Sequence, residues 1–367
     1  MKKIKVLHTE WSSGWGGQEI RILSEMELMR SLGCEVSLAC KADAKIAQRA
    51  KDKGFEVFIL PFSKKSDFKT MWLLRRILRQ NHFDIINTHS GIDSWCGGLA
   101  SVFNGVKFIR TRHLSNKIHP SRLNFINELA DFVMTTGESV KDAMIRENRI
   151  KRDKIQSVPT GINTEIFDKK IYDKNAMREK YKIPKDKIVI GNLGVMRGFK
   201  RHDIFIEMAK EIHVKYPNTH FVIAGSGDGW QWIKDFIDKN DCKQYVQLLG
   251  HVENPAEFLS TLDVFMLTSD RNEGVPQSLM QALAMELPCI ASDIGSICDL
   301  HYKNEKVENF ILTKNPIKEE FRIDLEKILE DKDRILPNRD FIIENFSLEK
   351  MGERIMGIYK KILNGEK

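Results

Sequence analysis

No stretch of this sequence approaches the roughly 18 uncharged apolar residues that a membrane-spanning helix needs. The first residues, Met1 to Glu10, carry charge and lack the apolar core of a secretory leader, so a cytoplasmic location is expected. Cysteine is sparse and scattered: Cys34, Cys40, Cys96, Cys242, Cys289 and Cys298 form no Cys-x-x-Cys pair and show no metal-ligand spacing. A zinc or disulfide framework is thereby disfavoured. Cys40 and Cys289 fall in apolar strand-like runs, where a free thiol behaves as a small buried hydrophobe, in keeping with a reducing compartment. There is no P-loop and no Gly-x-Ser-x-Gly nucleophile elbow. Gly225-Ser226-Gly227-Asp228-Gly229-Trp230 lacks the third glycine of the dinucleotide fingerprint, which argues against a nicotinamide enzyme. Internal repeats and low-complexity segments are absent as well.

What remains is an ordinary folded composition, 42% hydrophobic and 30% charged, in 367 residues. That length suits two α/β domains of about 150–200 residues each. The net charge of +7 is uneven. Residues 1–180 hold 32 Lys and Arg against 21 Asp and Glu, a net +11, whereas the remainder holds 26 against 30, a net −4. A basic first half suits an anionic partner, and charge alone fits nucleic acid, an anionic lipid surface or a phosphorylated acceptor; a nucleic-acid role rests on that charge only, and no nucleic-acid partner is expected.

Short apolar runs alternate with longer amphipathic ones. Ile4–Leu7, Val36–Ala39, Val57–Leu60, Ile85–Asn87, Phe108–Ile109 and Phe132–Met134 read as strands. Glu19–Leu32, with Ile20, Leu23, Leu28 and Leu32 near helical spacing, reads as a helix. The pattern restarts after Ile183-Pro184-Lys185-Asp186 with Ile188–Leu193, Phe221–Ala224, Val246–Leu249, Val264–Leu267 and Cys289–Ala291. Strands alternating with helices predict two doubly wound parallel sheets, an α/β chain of two Rossmann-like domains. The expected division is residues 1–175, 176–345 and a last helix in 346–367 packing back on the first domain. Ligands bind beyond the carboxyl ends of such strands, so the loops there carry the chemistry.

The most informative loop runs from Asp270 to Ala284, after the strand Val264–Leu267 and into a helix. Gly274 allows close backbone approach and Pro276 suits a helix start, whose free N–H groups form an anion site. Read locally, the segment is equally a plain helix start with Glu273 solvated and Gln281 on the surface. Glu273-Gly274-Val275-Pro276, followed by Gln281-Ala282-Leu283-Ala284, resembles the Glu-Gly-x-Pro…Glu-Ala-x-Ala signature of the retaining GT-B glycosyltransferases of family 4, with Gln281 in place of the second Glu. Gly16-Gly17-Gln18-Glu19, Val158-Pro159-Thr160-Gly161-Ile162-Asn163, Gly225-Ser226-Gly227, Leu249-Gly250-His251-Val252 and Ala291–Gly295 resemble further elements of that family in the same order.

The resemblance implies two domains facing across a cleft and transfer of a hexose-type sugar from a nucleotide diphosphate sugar. The acceptor would be a glycan or lipid-linked hydroxyl, as in lipopolysaccharide or other surface-glycan assembly. It implies that Arg197 and Lys200 hold the donor diphosphate without a metal or other cofactor. Glu273 would bind sugar hydroxyls, and Gln281 the ribose. Gly274, Val275 and Pro276 would line the donor site, and Gly16 and Gly17 would offer backbone N–H groups to donor phosphates or acceptor. His113, at a strand end, would contact the sugar or accept a proton, with His89 a second candidate. Rival expectations are an epimerase or phosphorylase of the same fold, or a non-catalytic nucleotide-sugar-binding protein. Asp331-Lys332-Asp333 has the spacing of a metal–diphosphate motif but sits in a charged run and reads as a solvated turn. Phe68–Arg79 mixes aromatic and basic residues, which suits either packing on the sheet or resting on an anionic membrane surface.

Overall fold

The computed structural model describes residues 3–113, 118, 122–271, 273–304, 307–331 and 334–365. The chain divides into two compact units, one of residues 1–160 with 348–367 and one of residues 161–347. Among the described residues no helix is long and apolar enough to cross a membrane.

In the first unit, strands β1 (Lys5–Glu10), β2 (Glu35–Cys40), β3 (Glu56–Ile59), β4 (Ile85–Thr88), β5 (Lys107–Arg112), β6 (Phe132–Thr135) and β7 (Ile155–Ser157) form one parallel sheet. Their order is β3-β2-β1-β4-β5-β6-β7. Helices α1 (Gly17–Ser31), α2 (Lys45–Asp52), α3 (Phe68–Gln80), α4 (Gly91–Ser101) and α5 (Glu138–Asn148) lie between the strands. Both faces of the sheet are buried, which is why the strands read as continuous apolar runs instead of alternating ones. Val6, Ile85 and Ile109 pack on one face with Ile22 and Met26 of α1. Leu7, Ile86 and Phe108 pack on the other with Leu74 of α3 and Cys96 of α4.

The second unit repeats the plan. It holds α6 (Lys174–Lys180), β8 (Ile188–Leu193), α7 (His202–Lys215), β9 (Thr219–Ala224), α8 (Trp230–Lys239), β10 (Val246–Gly250) and α9 (Pro255–Ser260). There follow β11 (Val264–Leu267), α10 (Gln277–Ala284), β12 (Cys289–Ser292), β13 (Ile311–Thr313), α11 (Lys318–Glu330) and α12 (Arg339–Phe346). The parallel strand order is β10-β9-β8-β11-β12-β13. The last helix, α13 (Leu348–Asn364), returns to the first unit, where Met351, Ile355 and Tyr359 join the core beside α1.

The division at residues 160/161 falls ahead of the 175/176 boundary expected from composition. The charged stretch after Asp168 belongs to the second unit. Arg178 of α6 donates to the Thr261 carbonyl at 2.9 Å and to Asp263 at 2.7 Å. Ile162 N–H donates to the Phe346 carbonyl at 2.9 Å. Five of the cysteines are buried, Cys298 is exposed, and all are free thiols.

Candidate active site

Each sheet changes winding direction once, between β1 and β4 in the first unit and between β8 and β11 in the second. At such a switch point neighbouring loops leave in opposite directions and open a crevice at the carboxyl ends of the strands. The described polar side chains gather there in both units.

In the second unit the loop after β8 carries Lys200 and the loop after β11 carries Glu273. Lys200 Nζ lies 2.6 Å from Glu273 Oε1, with the two side chains 12% and 8% exposed. Ser269 Oγ donates to the same carboxylate oxygen. The turn that bears Lys200 is fastened to the end of β11: Thr268 Oγ1 donates to the Lys200 carbonyl at 2.9 Å, and Asp270 N–H to the Phe199 carbonyl at 2.9 Å. Ser292 Oγ of β12 donates to the Ser269 carbonyl at 2.6 Å, so three adjacent strand ends brace the pair.

Glycine is required in two places around it. Gly225 has φ +141°, and a Cβ there would lie 1.8 Å from the Gly194 carbonyl oxygen. Gly295 has φ +62°, and a Cβ there would lie 2.0 Å from the Glu273 carbonyl oxygen. These are backbone-to-backbone approaches that no side chain tolerates. They set the Lys200 and Glu273 loops against their neighbours.

The remaining expected residues of this unit take different places. Arg197 opens the Lys200 turn and is exposed, outside the Lys200–Glu273 contact. Gly274 is half-buried, Val275 and Pro276 are buried, and Gln281 is half-buried on α10. Helix α10 begins at Gln277, with Pro276 as its N-cap and not its first residue. The alternative local reading, a solvated Glu273, does not hold: that carboxylate is buried and paired. Sequence reasoning missed Arg201, a left-handed residue (φ 50°, ψ 50°) whose guanidinium holds Asp203 at 2.8 Å and Asp270 at 3.3 Å. Nothing in its type separates it from Arg197; only the contact with Asp270 does.

In the first unit His8 of β1, His89 just after β4 and His113 just after β5 form a chain. His8 Nδ1 lies 2.9 Å from His89 Nε2, and His89 Nδ1 lies 2.9 Å from His113 Nε2. Asp93, in the first turn of α4, ties this end of the sheet together. Its carboxylate accepts from Thr9 Oγ1 at 2.8 Å, the His89 N–H at 2.8 Å and the Ser90 N–H at 2.9 Å. Glu10 is buried nearby and accepts from the Ser12 N–H at 2.8 Å and from Gln18. Burial first, and then the Asp93 carboxylate, push the Glu10 carboxyl up to about 8. Burial pulls Arg110 below its ordinary value, against the carboxylates of Asp93 and Glu10.

Gly16 and Gly17 precede and open α1. The Gly16 N–H is already donated to Glu19 Oε2 at 2.8 Å, so it does not stand ready for a phosphate as expected. Its backbone is extended (φ −158°), a conformation open to any residue, and a Cβ there would meet nothing nearer than 3.6 Å. Among the described residues no group of three or more His, Cys, Asp or Glu side chains could hold a metal ion. Lys332 and Asp333 of the charged run lie outside the described residues.

Two doubly wound parallel sheets in one chain, with polar loops at both switch points, make the architecture of a GT-B glycosyltransferase. Residues 15–166 match the family model of Glycosyltransferase Family 4 and residues 173–345 that of Glycosyl transferases group 1, and the chain belongs to this family of glycosyltransferases. Among curated relatives, it is 26% identical to an Escherichia coli UDP-Gal:alpha-D-GlcNAc-diphosphoundecaprenol alpha-1,3-galactosyltransferase, over 97% of each chain. Among solved structures, a glycosyltransferase from Rickettsia africae superposes with a TM-score of 0.86 over the whole of both chains at 19% identity. Anabaena Alr3699/HepE, crystallised with UDP and glucose, superposes with a TM-score of 0.82 over 97% of this chain and 99% of its own, at 16% identity.

Proposed function

We propose that the protein moves a hexose-type sugar from a nucleotide diphosphate sugar to an acceptor hydroxyl, without a metal and with retention of configuration, in surface-glycan assembly. The observation that carries the donor site is the Lys200–Glu273 pair at the β8/β11 switch point. An ammonium has three donors, and one meets Glu273. The other two suit oxygens of a departing diphosphate, where a fixed cation stabilises the charge that develops on the leaving group. Among the described residues both bonds to Glu273 fall on Oε1, which leaves Oε2 to accept from a sugar hydroxyl. Gln281, on α10, would meet the ribose as a neutral partner. The E. coli relative's name pairs a UDP-sugar with a diphosphoundecaprenol-linked acceptor, which supports a nucleotide-sugar donor and a lipid-linked acceptor here.

A membrane surface is proposed as the place where such an acceptor is met. Helix α3 buries Leu74 and Leu78, while Phe68 and Trp72 stay 77% and 61% exposed. Lys64, Lys65, Lys69 and Arg76 are exposed beside them, and the Arg76 guanidinium lies 6.0 Å from the Trp72 ring centre. Aromatic and basic side chains together suit an anionic interface.

The deciding experiment is calorimetric titration of nucleoside diphosphates and nucleotide sugars, in EDTA, into wild type and Lys200→Ala. Metal-free binding of one nucleotide, lost in Lys200→Ala, is expected; binding that ignores Lys200 overturns the donor site. Incubating that donor with lipid-linked acceptors, and reading the anomeric configuration of the product by NMR, tests transfer and retention. Co-sedimentation with anionic vesicles, weakened in Trp72→Ser, tests the membrane contact.

A further inference from the structure

His113 is half-buried, with its carbonyl oxygen accepting from Thr136 Oγ1 at 3.2 Å and its ring joined through Nε2 to His89. The two rings behind it are inaccessible: His8 is 0% and His89 1% exposed. The His8 and His89 ring planes differ by 12° and their centroids lie 5.2 Å apart. With 2.9 Å between the facing nitrogens, these two rings meet edge to edge, so the contact is an N–H···N bond in the ring plane. The His89 and His113 planes are tilted by 36°, with centroids 5.1 Å apart and the same 2.9 Å between nitrogens. Linking neutral rings, such a chain has one direction only. Each imidazole carries a single N–H, so the tautomer of one ring dictates that of the next.

The buried end decides the direction. His8 Nε2 is buried without a hydrogen-bond partner among the described residues. Were the protons aimed from His113 towards His8, that nitrogen would carry an unpaired buried N–H in the field of the Arg21 guanidinium. Aimed the other way, it presents a bare lone pair, which a neighbouring cation favours and which is the cheaper atom to leave unpaired. His8 Nδ1–H then donates to His89 Nε2, His89 Nδ1–H donates to His113 Nε2, and His113 keeps its proton on Nδ1.

The surroundings keep the chain neutral. Arg21 of α1 faces all three rings, Arg110 and Arg112 come from β5, and the Asp93 carboxylate of α4 takes the His89 main-chain N–H. Burial first holds all three imidazoles below their ordinary value, His8 down to about 3; after it come Arg21 at His8, the two flanking rings and then Arg21 and Arg110 at His89, and Arg21, Arg110 and Arg112 at His113.

We infer that His8 and His89 are positioning residues that lock His113 as a neutral hydrogen-bond donor through Nδ1. The task of that donor rests on the glycosyl-transfer reading: it offers an N–H to a ligand oxygen and does not serve as a base. Two-bond 15N–1H spectra of the full-length protein carrying 15N-histidine read the tautomer directly, with His113→Gln assigning the signal. Near neutral pH, His113 is expected protonated on Nδ1 alone. In His8→Phe the signal shifts towards the Nε2–H form, and kcat falls about fivefold, the worth of one neutral hydrogen bond, with KM for the donor unchanged. His8→Asn, which keeps a donor at the Nδ1 position, restores both.

A wild-type His113 protonated on Nε2, or doubly protonated at neutral pH, overturns the inference whether or not the variants fold. So does a tautomer that does not move in His8→Phe or His89→Phe. Expected tautomers without any sugar transfer would uphold the relay and sink the transfer reading instead.

Discussion

The two units share one topology and fill the same place in it differently. At the β8/β11 switch point a close ion pair, Lys200 with Glu273 at 2.6 Å, keeps part of both side chains exposed. At the β1/β4 switch point lie neutral imidazoles, and behind them sits a second ion pair, Arg21 with Glu25 at 3.6 Å, both fully buried. Arg21 Nε and Nη2 and one Glu25 oxygen have no hydrogen-bond partner among the described residues. A pair with spare donors and some exposure is arranged to receive a ligand. A pair sealed from solvent polarises and braces its surroundings, since burial of both charges costs about as much as their attraction returns. On the proposed reading, the same chemistry serves as a site in one sheet and as scaffold in the other.

The largest expected effect breaks this comparison outright. Lys200→Met and Glu273→Gln each lower the initial rate of sugar transfer by about 10²–10³-fold, the range for removing one fixed charge-stabilising group. The double variant regains the melting temperature but not the rate. If transfer survives in it, Lys200 and Glu273 are scaffold too.

Next in size, Glu25→Gln strands Arg21 as a buried cation and lowers unfolding free energy by about 3–5 kcal/mol in urea melts, whereas Arg21→Met with Glu25→Leu recovers most of it. An unchanged melt in Glu25→Gln would remove the bracing role.

A third test probes the first unit by pH, through two groups of β1 that run in opposite directions. Folded Glu10, near 8, lies above the ordinary carboxyl value of 4.5, so the folded state holds a proton that the unfolded state releases between those values. The stability it contributes is present below that window and lost as pH rises through about 8. Glu10→Gln should raise the melting temperature at alkaline pH by on the order of 5 °C and have little effect in mild acid. His8 runs oppositely: its folded value, about 3, lies below the ordinary 6.5, so its contribution is present above 6.5 and lost as pH falls towards 3. Hydrogen exchange in acid should therefore show α1 and β1 opening earlier than in a His8→Phe background. Equal opening would show that the imidazoles are not the acid-sensitive element.

The smallest effect sharpens the donor site alone. Gln281→Glu offers the ribose a charged acceptor and should tighten nucleotide binding about fivefold by calorimetry. No change would move the ribose away from α10.

Much of this architecture is legible in the sequence, because strands buried on both faces leave unbroken apolar runs between amphipathic helices. The edge strands Ile155–Ser157 and Ile311–Thr313 escape such a reading: three residues are too few to show a pattern, and they exist by pairing with β6 and β12. Lys200 and Glu273 can be picked out by the resemblance of their loops to a known signature, but their contact spans 73 positions and only folding makes it. His8 carried no signal at all. It lies inside an apolar strand, and its partner His89 is 81 residues away, brought alongside by the β1–β4 pairing.

Helix α13 completes the core of the first unit although residues 161–347 intervene. On the ribosome, Leu28 of α1 and Leu32 at its C-cap, against which Gly352 of α13 packs, therefore wait for their cover while the whole second unit is synthesised. At about 5–20 residues per second, that wait lasts on the order of 10–40 s. Vectorial synthesis thus reverses the expected order of maturation: the half made first is sealed last. A nascent chain stalled before Leu348 would leave that side of α1 uncovered and open to chaperones.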